Sequence, residues 1–134
     1  MKPMLTALVL SAALALPAQA LEPINQEAHI NGLLMQGFVA DTIDDNCDTI
    51  SARKLRALSK LNEIRDYALE KGYTRDEVKD FVTSKAEKTR LRAKAAEWLK
   101  AKGAEPGKPQ AYCDVGFAEI AAETLIGSLL RDDR

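Results

Sequence analysis

Two cysteines, Cys47 and Cys113, stand in a chain of 134 residues whose first twenty residues read as an export signal. That combination limits the fold more than any other feature. In an oxidising compartment two thiols pair, and a bond closing a loop of about 67 residues would stabilise by about 4 kcal/mol on the chain-entropy account. An intermolecular bond and a redox pair are the alternatives, and the lack of a Cys-x-x-Cys motif disfavours the second. The patterning predicts that Cys47 opens one helix and Cys113 opens the last. The bond would then staple the second and last helices of a small bundle.

The export reading rests on three pieces. Met1 and Lys2 make a basic start, and residues 3–16 are apolar and uncharged. That run is too short to span a bilayer comfortably. Pro17-Ala18-Gln19-Ala20 then ends in the small-x-small pattern that signal peptidase requires. No lipobox cysteine follows. Cleavage between Ala20 and Leu21 would leave a periplasmic protein of 114 residues, enough for one domain over 21–134 with one core. That part carries 18 basic and 20 acidic side chains, a balance that argues against nucleic acid, as does export itself. Aromatic residues are few, while Ala, Leu, Lys and Glu are common, which favours helices.

The first helix is predicted from Asn25, as N-cap, to Ile43. Ile30, Leu33, Leu34 and Phe38 form one stripe, and Met35, Val39 and Ile43 widen it, so this helix should be the buried one. Gly32 and Gly37 weaken it but would let a neighbouring helix approach closely. Acidic residues are unfavourable at a helix C-terminus, so a break is predicted near residues 44–46, with Asp48 or Thr49 capping the next helix. That helix runs to about Lys71, with Leu55, Leu58, Leu61, Ile64 and Ala68 as its apolar stripe, and Gly72 ends it. Thr74-Arg75-Asp76-Glu77 is a capping box, with Tyr73 and Val78 placed for a hydrophobic staple. A continuous helix from there to Lys102 would be about 42 Å long, against a radius of gyration of about 13 Å for such a domain. A break is therefore placed at Ser84, which opens a second capping-box match. A loop over 103–110 follows, and the last helix is predicted from about Ala111 to Leu130, with Val115, Ala118, Ala122, Leu125 and Leu129 facing inward.

Candidate sites are sparse. His29 is the only histidine, and without a fixed partner at ligand spacing it supports neither a zinc site nor a hydrolase triad. Asp41, Asp44, Asp45 and Asp48 could offer oxygen ligands to calcium, but they lack the spacing and central glycine of a calcium loop; capping and a solvated turn explain them. Residues 85–102 hold seven basic side chains against Glu87 and Glu97. Lys85, Lys88 and Arg92 share a face, which is either an ordinary solvated surface or a docking surface for anionic lipid headgroups or an acidic protein. No metal, cofactor or catalytic residue is predicted.

Several stretches resemble one family: Ala28-His29-Ile30-Asn31, Asp41-Thr42-Ile43, Cys47 with Thr49-Ile50-Ser51-Ala52-Arg53, Lys71-Gly72-Tyr73, Tyr112-Cys113, and Ile126-Gly127-Ser128-Leu129-Leu130. These residues are similar to a set of small exported Gram-negative proteins defined only as a domain of unknown function. The resemblance covers nearly the whole of 21–134. It implies a helical domain with Cys47 paired to Cys113, and it supplies no catalytic residues.

The expected fold is an all-α bundle of four to five helices stapled by one disulfide. The expected function is a non-enzymatic periplasmic interaction protein, an accessory subunit on the outer face of an inner-membrane complex such as a respiratory enzyme. A carrier of lipid or another small hydrophobic ligand, with a cavity around Phe38 and Trp98, is the second reading. An enzyme of unrecognised type, with His29 as its only obvious general base, is the third.

Overall fold

The helix expected to be the buried one becomes the axis of the molecule. In the computed structural model, which describes residues 20–134, helix α1 (Ala28–Asn46) follows a single 3₁₀ turn (Ile24–Gln26) and lies at the centre of the molecule. The export-signal reading of residues 1–19 lies outside the described residues. The N-cap is Glu27, not Asn25: the Glu27 carboxylate accepts the Ile30 N–H at 2.6 Å. At the other end α1 runs past Ile43 through Asp44 and Asp45 and stops at Asn46, the last residue of the predicted break. Cations offset these acids at the negative helix end, with Lys54 Nζ 3.5 Å from Asp44 and an Arg92 guanidinium nitrogen 3.2 Å from Asp41.

Cys47 therefore closes α1 and does not open a second helix. After it the chain turns into strand β1 (Ile50–Ala52), and only then begins α2 (Lys54–Lys71). Neither Asp48 nor Thr49 caps α2. Its N-cap is Arg53, whose N–H donates to the Leu129 carbonyl at 2.8 Å. Gly72 ends α2 at φ 114°, a left-handed conformation that favours glycine. The capping box of Thr74 and Glu77 forms as predicted and starts α3 (Arg75–Thr83), with Tyr73 and Val78 both buried. The predicted break at Ser84 is also present. Ser84 leaves helical geometry, and its hydroxyl accepts the Glu87 N–H at 3.3 Å to begin α4 (Lys85–Ala101).

The predicted last helix is instead two. Helix α5 (Pro109–Ala121) ends where Glu123 adopts φ 54°, and Thr124 caps a short α6 (Leu125–Ser128). The chain doubles back so tightly that a Cβ on Gly127 would lie 2.1 Å from the Glu119 carbonyl oxygen. The turn leaves Ala118 and Ala122 exposed, contrary to the single-helix reading. Strand β2 (Leu130–Asp132) then pairs antiparallel with β1, matching Ile50 to Asp132 and Ala52 to Leu130.

Six helices are present among the described residues, one more than the upper end of the expected count, and the all-α class holds apart from this three-residue ribbon. Cys47 and Cys113 form the disulfide, with Cα atoms 5.2 Å apart. The staple thus joins the C-terminal end of α1 to the first turns of α5, not the second helix to the last. Around it pack Val39, Ile43, Ile50, Leu99, Tyr112, Ile126 and Leu130. Gly116 permits this approach, since a Cβ there would meet Ile50 Cδ1 at 2.5 Å. A second apolar cluster of Ile30, Ile64, Ala68, Tyr73, Val78, Phe81 and Leu91 holds α2, α3 and the start of α4 against the N-terminal half of α1.

Candidate docking cleft

The apolar stripe of α2 is only half used. Ile64 and Ala68 are buried, but Leu55 is 83% exposed, Leu58 55% and Leu61 47%. Helix α2 is fastened at its two ends. At its start the Arg53 and Arg56 guanidinium groups donate to the Leu130 and Ser128 carbonyls at 3.0 and 3.1 Å. Near its end Tyr67 and Lys71 both donate to Glu27. Between these fastenings it stands off from α1 and α4, and a cleft opens.

The floor of the cleft is α1, through Ile30, Leu33, Leu34, Gly37 and Phe38. One wall is α2, through Ala57, Leu61 and Ile64, and the other is α3 and α4, through Phe81, Val82, Lys88 and Leu91. Three adjoining hollows of about 350, 360 and 310 Å³ share Leu34 and Leu61, so they form one trough. Val82, 41% exposed, continues the apolar rim opposite Leu61.

Gly37 has no structural explanation within the chain. A glycine inside a helix destabilises it by about 1 kcal/mol relative to alanine. The close helix approach predicted for it is not made by any element described, for a Cβ on Gly37 would meet nothing within 4 Å. It leaves the floor of the trough open at its middle.

The charged rim is mostly basic. Lys60, Arg65, Arg75, Lys79, Lys88 and Arg92 line the trough, against Asp41 and Glu87. Both acids already hold a cation of the chain. Arg92 reaches Asp41 while its guanidinium carbon lies 4.8 Å from the centre of the Phe38 ring, and Arg90 Nε lies 2.8 Å from Glu87. The hydrogen bond from Arg90 holds the Glu87 carboxyl below its ordinary value, with help from Asn25 and against partial burial. Lys79 and Lys88 make no ion pair among the described residues. Of the three residues proposed from sequence as a docking face, Lys88 and Arg92 border the trough, and Lys85 is exposed without lining it. Sequence reasoning singled out neither Lys79 nor Val82, and it turned Leu61 inward, because how far α2 stands off from α1 is set by packing between elements and not by periodicity.

The cavity expected around Phe38 and Trp98 is corrected in one respect. Phe38 lines the trough, whereas Trp98 packs on the disulfide-side core under Lys102, whose ammonium is 4.9 Å from the indole centre. Carboxylate oxygens of Asp41, Asp44 and Asp45 come within 4.8 Å of one another, but Arg92 and Lys54 already face two of them. His29 is exposed, its ring tilted on Tyr67 with centroids 4.5 Å apart. Among the described residues Glu27 is the one charged group buried, at 3% exposure. It accepts Lys71 Nζ at 2.8 Å and the Tyr67 hydroxyl at 3.1 Å besides the Ile30 N–H. Burial opposes its ionisation, the three donors outweigh burial, and its carboxyl lies below the ordinary value. This cluster fastens α2 to α1.

Residues 22–131 match the family described as "Family of unknown function (DUF5333)", a span that takes in every helix, β1 and all of β2 but Asp132. The chain belongs to the DUF5333 family. In this DUF5333 protein the matched span holds the whole trough. No curated protein and no solved structure matches the chain. Among the described residues of this DUF5333 protein no helix is long and apolar enough to cross a membrane.

Proposed function

We propose that this DUF5333 protein is an exported, non-enzymatic interaction protein of the Gram-negative periplasm that docks a protein partner in the trough between α2 and α4. Cleavage between Ala20 and Leu21 releases the domain, and its host is a complex of the inner membrane, to which it is an accessory subunit. The observation that carries this reading is the open apolar trough with Leu61 and Val82 exposed on its opposite walls. Buried apolar surface drives association, and a soluble monomer gains nothing from holding such a surface in water. The internal disulfide fits the oxidising compartment that the N-terminal sequence indicates.

Gently solubilised envelopes run on a native gel test the reading. The protein should migrate with a large assembly, and Leu61→Glu combined with Val82→Glu should release it. Migration of the unaltered protein near monomer mass would sink the proposal. N-terminal sequencing of the isolated protein should begin at Leu21.

One observation favours a second reading, a carrier of lipid or another hydrophobic ligand. Each hollow of the trough reaches the lower end of small-ligand site volumes. Native mass spectrometry after mild purification separates the two, since a carrier retains an added mass.

A further inference from the structure

We infer that the trough takes an amphipathic helix of the partner, about three turns long, whose apolar stripe is bordered on one flank by acidic side chains and carries a small residue where it crosses Gly37. The inference rests on the docking reading above and adds to it the shape and charge of the partner.

Length comes first. The floor residues Ile30, Leu33, Leu34, Gly37, Phe38 and Asp41 fall on one helical stripe of α1. From Ile30 to Asp41 that stripe spans about 17 Å, the length of about eleven helical residues. Two helical walls over a helical floor leave space shaped for another helix, the helix-in-groove mode of recognition.

Charge selects which helix. The α3–α4 wall offers Arg75, Lys79 and Lys88, the α2 wall offers Lys60 and Arg65, which Glu63 and Asp66 already pair, and Asp41 and Glu87 are likewise paired within the chain. Acidic residues on the flank of the incoming helix that faces the α3–α4 wall complement this rim, and basic ones would be repelled.

Gly37 marks the crossing. Its missing side chain is unused by the fold and lies at mid-floor. It lets a second backbone come close if the opposing residue is also small. Leu61 and Val82 argue for a helix over an acyl chain. They line the hollows from opposite walls yet stay 47% and 41% exposed, and a helix laid between the walls would cover both.

The test uses two dye-labelled synthetic helical peptides of about fourteen residues, both with leucines in a 3–4 repeat around a central alanine. One carries glutamates on one flank and the other lysines there. Binding to the purified exported protein is read by fluorescence anisotropy. The glutamate peptide should bind roughly ten-fold more tightly, the worth of a few exposed ion pairs, and added salt should erode that preference. Lys79→Glu with Lys88→Glu should invert the preference. Gly37→Leu should abolish binding of the glutamate peptide while leaving the melting temperature unchanged or higher, which a structural role for Gly37 would not allow.

Equal binding of the two peptides, or unchanged binding by the Gly37→Leu protein, overturns the inference. So does a retained lipid in native mass spectra that Gly37→Leu expels, or concentration-dependent dimerisation that Gly37→Leu removes. If the peptides fail while native-gel migration with a large assembly persists, the interaction reading stands and only the acidic helix falls. If that migration fails too, both fall.

Discussion

Glu27 sits at 3% exposure with its charge intact because three donors converge on it, and one of them, Lys71, is itself charged. A buried carboxylate without partners would be neutral. Replacing Glu27 with alanine removes the helix cap of α1 and both fastenings of α2 together. It should destabilise the protein by about 3 kcal/mol in urea unfolding. The sign of the pH effect follows from the direction of the shift. The folded carboxyl titrates below its ordinary value of 4.5, so the unfolded chain takes up the proton first. The stabilisation is complete above that value and is lost as pH falls below it through the folded pKa. Glu87, held low by Arg90, acts in the same direction. The urea midpoint should therefore fall between about pH 5 and about pH 3, and Glu27→Gln should flatten that fall. Its role was not legible in the sequence. Asn25 is the stronger N-cap by residue type, and only the placement of Tyr67 and Lys71, 40 and 44 residues away, turns Glu27 into the cap.

At the scale of elements, α2 separates two properties that periodicity cannot. The spacing of Leu55, Leu58, Leu61, Ile64 and Ala68 correctly announces a helix, but the helix turns only its last part onto α1. Replacing Leu58 or Leu61 with serine should change unfolding free energy by no more than about 0.5 kcal/mol, whereas Ile64→Ala should cost about 3 kcal/mol. Chemical denaturation of the three variants checks this directly. A large loss at Leu58 would mean that α2 closes over the trough. Where local chemistry decides a boundary, the sequence was readable: Thr74 with Glu77, Ser84 with Glu87, and Gly72 lie where their side chains and backbone require. Where a distant neighbour decides it, the sequence was silent. The acidic end of α1 persists because Arg92 and Lys54 come to it, and β1 exists only because β2 lies beside it.

For the whole molecule, the disulfide joins the central helix to α5 and so closes one of two apolar clusters, leaving the α2–α3 side unstapled. Reduction should lower stability by up to about 4 kcal/mol. Hydrogen exchange of the reduced protein should show α5 and the β1–β2 ribbon opening before α3. That the two thiols pair was legible from their number and from the export-signal reading of the N-terminal sequence; which helices they join was not, because the ribbon moves the N-cap of α2 from Asp48 or Thr49 to Arg53 and frees Cys47 to end α1. The same ribbon has a consequence in time. Ser51 pairs with Arg131, about eighty residues later in the chain, and the Arg53 amide needs the Leu129 carbonyl. A polypeptide emerging from its N-terminus can coil α1 to α4 as each appears, but it cannot finish the β1 side of its core until β2 has followed all six helices out. Completion of the fold is thus a single late event, set by the arrival of one short strand, and it comes after Cys113 has already reached Cys47 from α5.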